Sequence, residues 1–414
     1  MTTPSILASH PSPLSTTSQS SIWRERFFFT LTLLLTALYW LPQAIRWMND
    51  SDFGPHGEDV KRTLDSLEWV ITNIPHFMFQ ALSAGVSRLF NWDVYYSMAL
   101  VITLAIVTTS AVLYIVYRRA ILGKDNALTW RTGGLLVAAV MATLVVAPLN
   151  VATPENLYFG YFAPNVYHNP TVNLMKPSAI LLFFAAVACF SPSWRPRPVL
   201  LWMLGYALLT AFCLFSKPNF LIAALPALAI VTLIQMLRRR PIHWLLLIGG
   251  IVLPAGALLF VQTQTWTSSV GIEFSPFEVY ALWAYHYEPN ANQGLLLKLL
   301  ASVAFPLAVY LLCWRDSIRS LAMNTAWLTF FCGAAYIYLL IDRSNPTAGD
   351  FTWSAQFGVF LLFMTSIAFL LQRRKLDWRV WLCLAVLGLH LITGINWYWV
   401  HLSSTYTDII FRWW

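Results

Sequence analysis

Runs of about 17–25 predominantly apolar residues recur along the chain, near 27–45, 94–117, 133–150, 174–191, 198–215, 219–237, 243–262, 295–314, 321–341, 356–372 and 380–400. A helix of roughly 20 residues crosses the ~30 Å hydrocarbon core of a bilayer. Each of the eleven runs therefore predicts a membrane-spanning helix. The short breaks at 216–218 and 238–242 make their neighbouring helices antiparallel. Pro42, Pro148, Pro226, Pro254 and Pro306 lie inside runs, which membrane helices tolerate where neighbours satisfy the freed carbonyls. A different period governs residues 46–93. Val60, Leu64, Leu67, Ile71 and Ile74 are spaced 4, 3, 4 and 3 apart, with Lys61, Arg62, Asp65 and Glu68 between them. That is one apolar stripe on a helix, predicted to lie in the membrane interface rather than to cross it. Gly54-Pro55 predicts a turn before it; Pro75-His76 ends it, and 77–90 predicts a second such helix. Residues 1–22 are rich in Ser, Thr and Pro and are expected to form a disordered tail. The expected fold is all-α: one polytopic transmembrane domain over 23–414.

Composition supports this. Of 414 residues, 58% are hydrophobic and 11% charged, against about 25% charged in a soluble domain. A soluble enzyme or a nucleic-acid-binding domain is excluded, because such a chain could not cover its surface with polar groups. The net charge of +8 then becomes a topology signal. With the N-terminus in the cytoplasm, 17 of the 26 Lys and Arg fall in cytoplasmic segments, as the positive-inside rule requires. Of the 18 acidic residues, 14 fall on the other face. The long polar loops, 46–93, 151–173, 263–294 and 342–355, also lie outside. Chemistry is expected there, in a multi-pass protein of the plasma membrane whose first partners are membrane lipids. The five cysteines sit in apolar runs without a CxxC, so neither a disulfide framework nor a zinc site is legible. No glycine-rich nucleotide motif follows a strand.

The first outer loop holds Asp50, Asp52, Glu58 and Asp59 with His56 inside ten residues. Asp50 and Asp52 stand where the first span meets the interfacial helix. A carboxylate there can serve as general base or hold a divalent cation; it can equally be a solvated acidic cap. Two Lys-Pro pairs, Lys176-Pro177 and Lys217-Pro218, are expected to start the fourth and sixth spans, since proline fits the first helical turn. A lysine at a helix N-terminus faces the positive end of the dipole unless an anion intervenes, so both are candidate phosphate ligands. Snorkelling to a headgroup is the plainer alternative. His168 and Asn169 precede Lys176, and Arg343 and Asp350 bracket the fourth outer loop, so both clusters combine groups suited to an anionic or sugar-like ligand. Glu273, Glu278 and Trp283 in the third outer loop read either as a sugar site or as an interfacial aromatic belt. His390, flanked by leucines, reads as a packed core residue.

On these features the chain resembles the GT-C superfamily of membrane glycosyltransferases. The resemblance covers the spans from about residue 23 onward and the acidic first outer loop with its interfacial helices. It implies sugar transfer from a polyprenyl-phosphate donor to an acceptor on the outer face. It further implies a catalytic aspartate at Asp50 or Asp52, in the motif Asp52-Phe53-Gly54-Pro55-His56, and phosphate contacts from Lys176, Lys217 and Arg343. The large soluble C-terminal domain that many members carry is not expected here. Two other readings stand beside it: a transporter or flippase of an anionic lipid-linked substrate, and a non-catalytic scaffold.

Overall fold

A computed structural model describes residues 19–48, 53–122, 128–150, 157–192, 194, 196–266, 271–373 and 375–403. The chain opens with α1 (Gln19–Trp47), and three shorter helices follow it, α2 (Phe53–Asp65), α3 (Leu67–Asn73) and α4 (Met78–Phe90). Next come α5 (Val94–Leu122), α6 (Trp130–Val145), α7 (Pro170–Ala188), α8 (Val199–Ser216) and α9 (Asn219–Leu237). A π-helical stretch, Leu245–Val252, runs into α10 (Leu253–Trp266). The rest is α11 (Glu278–His286), α12 (Leu295–Leu312), α13 (Trp314–Ser317), α14 (Leu321–Leu339), α15 (Thr352–Leu371) and α16 (Trp378–Ser403). Two three-residue strands, β1 (Ile272–Phe274) and β2 (Leu340–Asp342), pair antiparallel with Glu273 opposite Ile341.

The protein is an all-α polytopic membrane protein. Among the described residues, nine helices are long and apolar enough to cross a membrane. Each of the eleven predicted spans has a helix, but two helices fall short of that standard. α6 has 16 residues, about 24 Å at 1.5 Å per residue. α14 is diluted by Asn324, Thr325 and Thr329. The two central helices, α7 and α15, are buried nearly all round, as expected of helices that are apolar on every face. The outer helices instead expose large aliphatics such as Leu38, Leu200 and Leu297.

Local chemistry sets the element ends. Asn169 caps α7, its Oδ1 accepting from the Val172 amide at 3.0 Å, with Pro170 in the first turn. The fourth span thus begins seven residues before Pro177, and Pro177 lies inside the helix instead of starting it. Gly54 and Pro55 likewise lie in the first turn of α2 rather than in a turn before it, where a proline costs no helical bond. The predicted interfacial helix is split at Ser66, whose hydroxyl caps α3. α1 begins at Gln19, inside the segment expected to be tail.

Prolines within the spans are compensated by neighbours. Pro254 has no N–H to offer Gly250, and the Thr210 hydroxyl donates to the Gly250 carbonyl at 3.1 Å. At Pro306 the compensation is wider. The Ala301 carbonyl accepts from the Leu149 amide at 3.0 Å. The Phe305 amide donates to His390 Nε2 at 3.2 Å, and His390 Nδ1 donates to the Ala147 carbonyl at 2.6 Å. His390 is therefore a buried structural pin that uses both ring nitrogens.

Every loop that the sequence assigns to the outer face gathers at one end of the bundle. Gln262 on α10 donates to the Pro75 carbonyl at 2.7 Å. Asn219 at the start of α9 donates to the Asp350 carbonyl at 2.8 Å, and the Arg343 amide bonds to Gly271. The other end holds ion pairs such as Arg118–Glu25 at 2.7 Å and Arg373–Asp316 at 2.6 Å.

Candidate functional site

At that gathered end, residues distant in sequence form one lysine-histidine-aromatic cluster. Lys217 follows the last residue of α8, and Pro218 precedes α9. Its ammonium lies 5.4 Å from the centre of the Trp353 ring in the first turn of α15, a cation–π distance. The position of Trp353 is set by close packing of α15 on α14. A Cβ on Gly333 would come within 2.7 Å of the backbone at Ser354 and Ala355, so only glycine allows this approach.

Trp353 also meets the buried His168, ring to ring at 5.7 Å. His168 stands edge-on to Tyr158 at 4.4 Å and lies 6.4 Å from Trp47 at the end of α1. Tyr158 continues the cluster to the end of α16, where its hydroxyl lies 2.9 Å from Nε2 of the fully buried His401. His76 occupies the turn between α3 and α4. Phe77 beside it packs on Phe215 of α8 at 5.1 Å, which fixes the turn against the helix that ends next to Lys217. His56 lies on α2, with Nδ1 3.0 Å from Gln80 Nε2 of α4.

Electrostatics ties the cluster together. Burial, and after it the Lys217 charge, push the His56 imidazole down to about 4 and that of His168 to about 3. His76 is driven well below its ordinary value by burial, by Lys217 and by His56. All three imidazoles are therefore neutral at pH 7, each with one N–H donor and one acceptor nitrogen. One ammonium, three neutral imidazoles and the aromatic faces of Trp47, Tyr158 and Trp353 suit an anion attached to a less polar body. The positive charge attracts the anion, N–H groups complete its hydrogen bonds, and the rings pack against the remainder.

The predicted site residues have different fates. Lys217, His168 and His56 come together. Lys176 does not join them. It lies inside α7, buried, with Nζ 3.3 Å from Asn165 Oδ1 and 5.0 Å from the Phe360 ring centre. Phe360 and Trp353 are seven residues apart on α15, about 10 Å along its axis, so the two lysines sit at different depths. Asn169 is occupied as the cap of α7. Arg343 is held by two carboxylates, Glu273 and Glu278, each at 2.6 Å, which lowers both acids and raises the guanidinium further. Asp350 contributes its backbone carbonyl to Asn219, and its side chain is exposed. Asp50 and Asp52 lie outside the described residues. Among the described residues, no group of three or more His, Cys, Asp or Glu is placed to hold a metal ion.

Sequence reasoning took His76 only as a helix stop and passed over His401, Tyr158 and Trp353. One signal could have found the histidines. Five of the eight, at 56, 76, 168, 286 and 401, fall at or beyond the outer ends of predicted spans, and all but His286 belong to the cluster. No known protein family, curated protein or solved structure matches this chain.

Proposed function

We propose that this protein is a membrane glycosyltransferase of the GT-C type, moving a sugar from a polyprenyl-phosphate donor to an acceptor at the outer face of the plasma membrane. The observation that carries this reading is the gathering of His56, His76 and His168 within reach of the Lys217 charge, with Lys217 and His168 both on the Trp353 ring, at the end of the bundle where the first outer loop also lies. In this reading Lys217 holds the donor phosphate, whose negative charge grows as the sugar–phosphate bond breaks. Asp52 or Asp50 takes the proton from the acceptor hydroxyl. The aromatic rings pack on the sugar C–H faces, and a divalent cation, if the reaction uses one, binds the same two aspartates.

The test uses the purified protein in lipid nanodiscs, supplied with polyprenyl-phosphate-linked sugars and candidate acceptors. A general base contributes about 10²–10⁴-fold in rate. Asp52→Asn or Asp50→Asn, or the two together, should remove that factor while the protein remains folded. Full activity in the double variant would exclude both carboxylates, and a wild type that consumes no lipid-linked sugar would end the enzyme reading.

One observation favours the transporter alternative. Lys176 lies inside a span, and an ionisable residue at such a position often marks a translocation path. Lipid-linked anion crossing a vesicle membrane without sugar transfer would support it.

A further inference from the structure

At the end of the bundle opposite the lysine-histidine cluster, α12 and α16 bring two thiols together. α12 runs toward that end and α16 away from it, and the two touch where the Phe305 amide donates to His390. Cys313 lies eight residues after Phe305, and Cys383 lies seven residues before His390. Those steps are about 12 Å and 10 Å along the two axes, so a single crossing sets both cysteines at one level. There the Cys383 thiol hydrogen-bonds to the Cys313 sulfur. Both side chains are buried, Cys383 completely and Cys313 to within 3%. Cys313 stands between α12 and α13, at the end of both. The charges of Arg373, Asp377 and Arg379 reach it. Two guanidiniums against one carboxylate favour the nucleophilic thiolate there. The other three cysteines are spread over the end of α7, α8 and α14.

We propose that Cys313 and Cys383 form a redox site, closing to a reversible disulfide when a peroxide reaches them. The distribution of Lys and Arg assigns this end to the cytoplasm. Thiols are held reduced there, and a disulfide that does form is usually transient and redox-sensing. The two cysteines differ in role because they differ in place. The Cys313 thiolate, at a helix end and beside two arginines, attacks one peroxide oxygen. An S–O bond forms, the O–O bond breaks, and the departing hydroxide takes up the proton that Cys313 had released, giving water. Cys383, sealed within α16, then attacks the sulfur of the sulfenic acid. An S–S bond forms, the S–O bond breaks, and the Cys383 proton leaves with the hydroxyl as a second water. The two thiols lose two electrons and the peroxide gains them. The bond ties α12 to α16 a second time, beyond the His390 contact, and so fixes the foot of the helix that carries His401. Neither thiol takes part in the sugar transfer proposed above, so the two readings fail separately.

The experiment treats the reduced full-length protein in nanodiscs with hydrogen peroxide and maps its peptides without reductant. Of the five thiols, two are expected to disappear, joined as Cys313–Cys383, and to return with dithiothreitol. Cys383→Ser removes the second thiol, so Cys313 should stop as a sulfenic acid that dimedone traps. Cys313→Ser should slow peroxide consumption about tenfold or more and leave Cys383 a free thiol. Cys332 on α14 is the more exposed sulfur and serves as the internal control. Oxidation of Cys332 as fast as that of Cys313 would mean that exposure alone governs the chemistry and would overturn the proposal. So would five thiols surviving peroxide, or a link joining two copies of the chain. Mapping of the wild type decides the matter even where a serine variant fails to fold.

Discussion

Lys176-Pro177-Ser178 and Lys217-Pro218-Asn219 are near twins in sequence and opposites in structure. Lys217 sits at a junction between two helices, over the Trp353 ring, and its charge is felt by three imidazoles from three other segments. Lys176 is swallowed by α7, with one amide oxygen and one phenyl ring for company. The difference comes from where each helix begins. Asn169-Pro170 starts α7 early and carries Lys176 into the bundle, whereas α8 ends just before Lys217 and leaves it at the mouth. Whether the helix start and the proline coincide thus decides whether such a lysine stands at the end of the bundle or inside it.

The largest way to sharpen this contrast is acid. An unfolded imidazole takes up its proton near 6.5, while folded His56 holds out to about 4 and His168 to about 3. In that window the unfolded chain binds more protons, so stability is complete above pH 6.5 and declines as pH falls toward 4. At 1.36 kcal/mol per pH unit the His56 depression alone corresponds to roughly 3 kcal/mol. Melting curves in nanodiscs between pH 7.5 and 4.5 should show that fall, and it should be shallower in Lys217→Met, which removes a charge opposing protonation. In Lys176→Met the slope should equal that of the wild type. A pH-independent melting temperature would break the assignment of the imidazoles as neutral.

Next in size is the exchange of roles under substitution. A charge-assisted hydrogen bond contributes about 1.5–3 kcal/mol, so Lys217→Met should weaken isoprenyl phosphate binding by roughly 10–100-fold with folding intact. Lys176→Met replaces a buried, weakly bonded amine with an apolar side chain of similar length. It should leave binding unchanged and the melting temperature equal or higher. If Lys176→Met abolishes binding and Lys217→Met does not, the comparison is inverted and the deep lysine is the ligand. The smallest effect concerns Arg343, whose guanidinium is already engaged by Glu273 and Glu278 at the surface. Arg343→Gln should change isoprenyl phosphate binding by less than about twofold, as fits an exposed ion pair. A tenfold loss would return it to the phosphate site.

Much of this was legible from the sequence, for a definite reason. Membrane helices announce themselves by composition, and so a helix stands at each of the eleven apolar runs, even at the two too short or too polar to count by themselves. The stripe Val60-Leu64 marked the lateral helices, although Ser66 divides them by offering its hydroxyl as a new cap. The start of α7 was misplaced because two proline signals stand seven residues apart, and the earlier one carries the better cap. The cluster was only half legible. His56, His168 and Lys217 could be nominated from local context. His401 was marked only by its place at the outer end of the last span, and Trp353 by nothing, because what makes them neighbours of Trp47 and Lys217 is the packing of α15 and α16. The ion pairs of Arg343 were not legible, since Glu273 and Glu278 are far from it in sequence and the pairing of β1 with β2 brings the segments together.

His390 carries a consequence for how the molecule is made. The imidazole that ties Ala147 to Phe305 arrives 243 residues after Ala147, and Gln43 on the first helix waits for the carbonyl of Tyr398, 355 residues later. A chain threaded into the bilayer from its N-terminus must therefore hold α1 and the end of α6 in provisional arrangements throughout synthesis. α16, which enters after all of these partners, works as a latch. Until it closes, the lysine-histidine cluster lacks the side that His401 supplies against Trp47 and Tyr158.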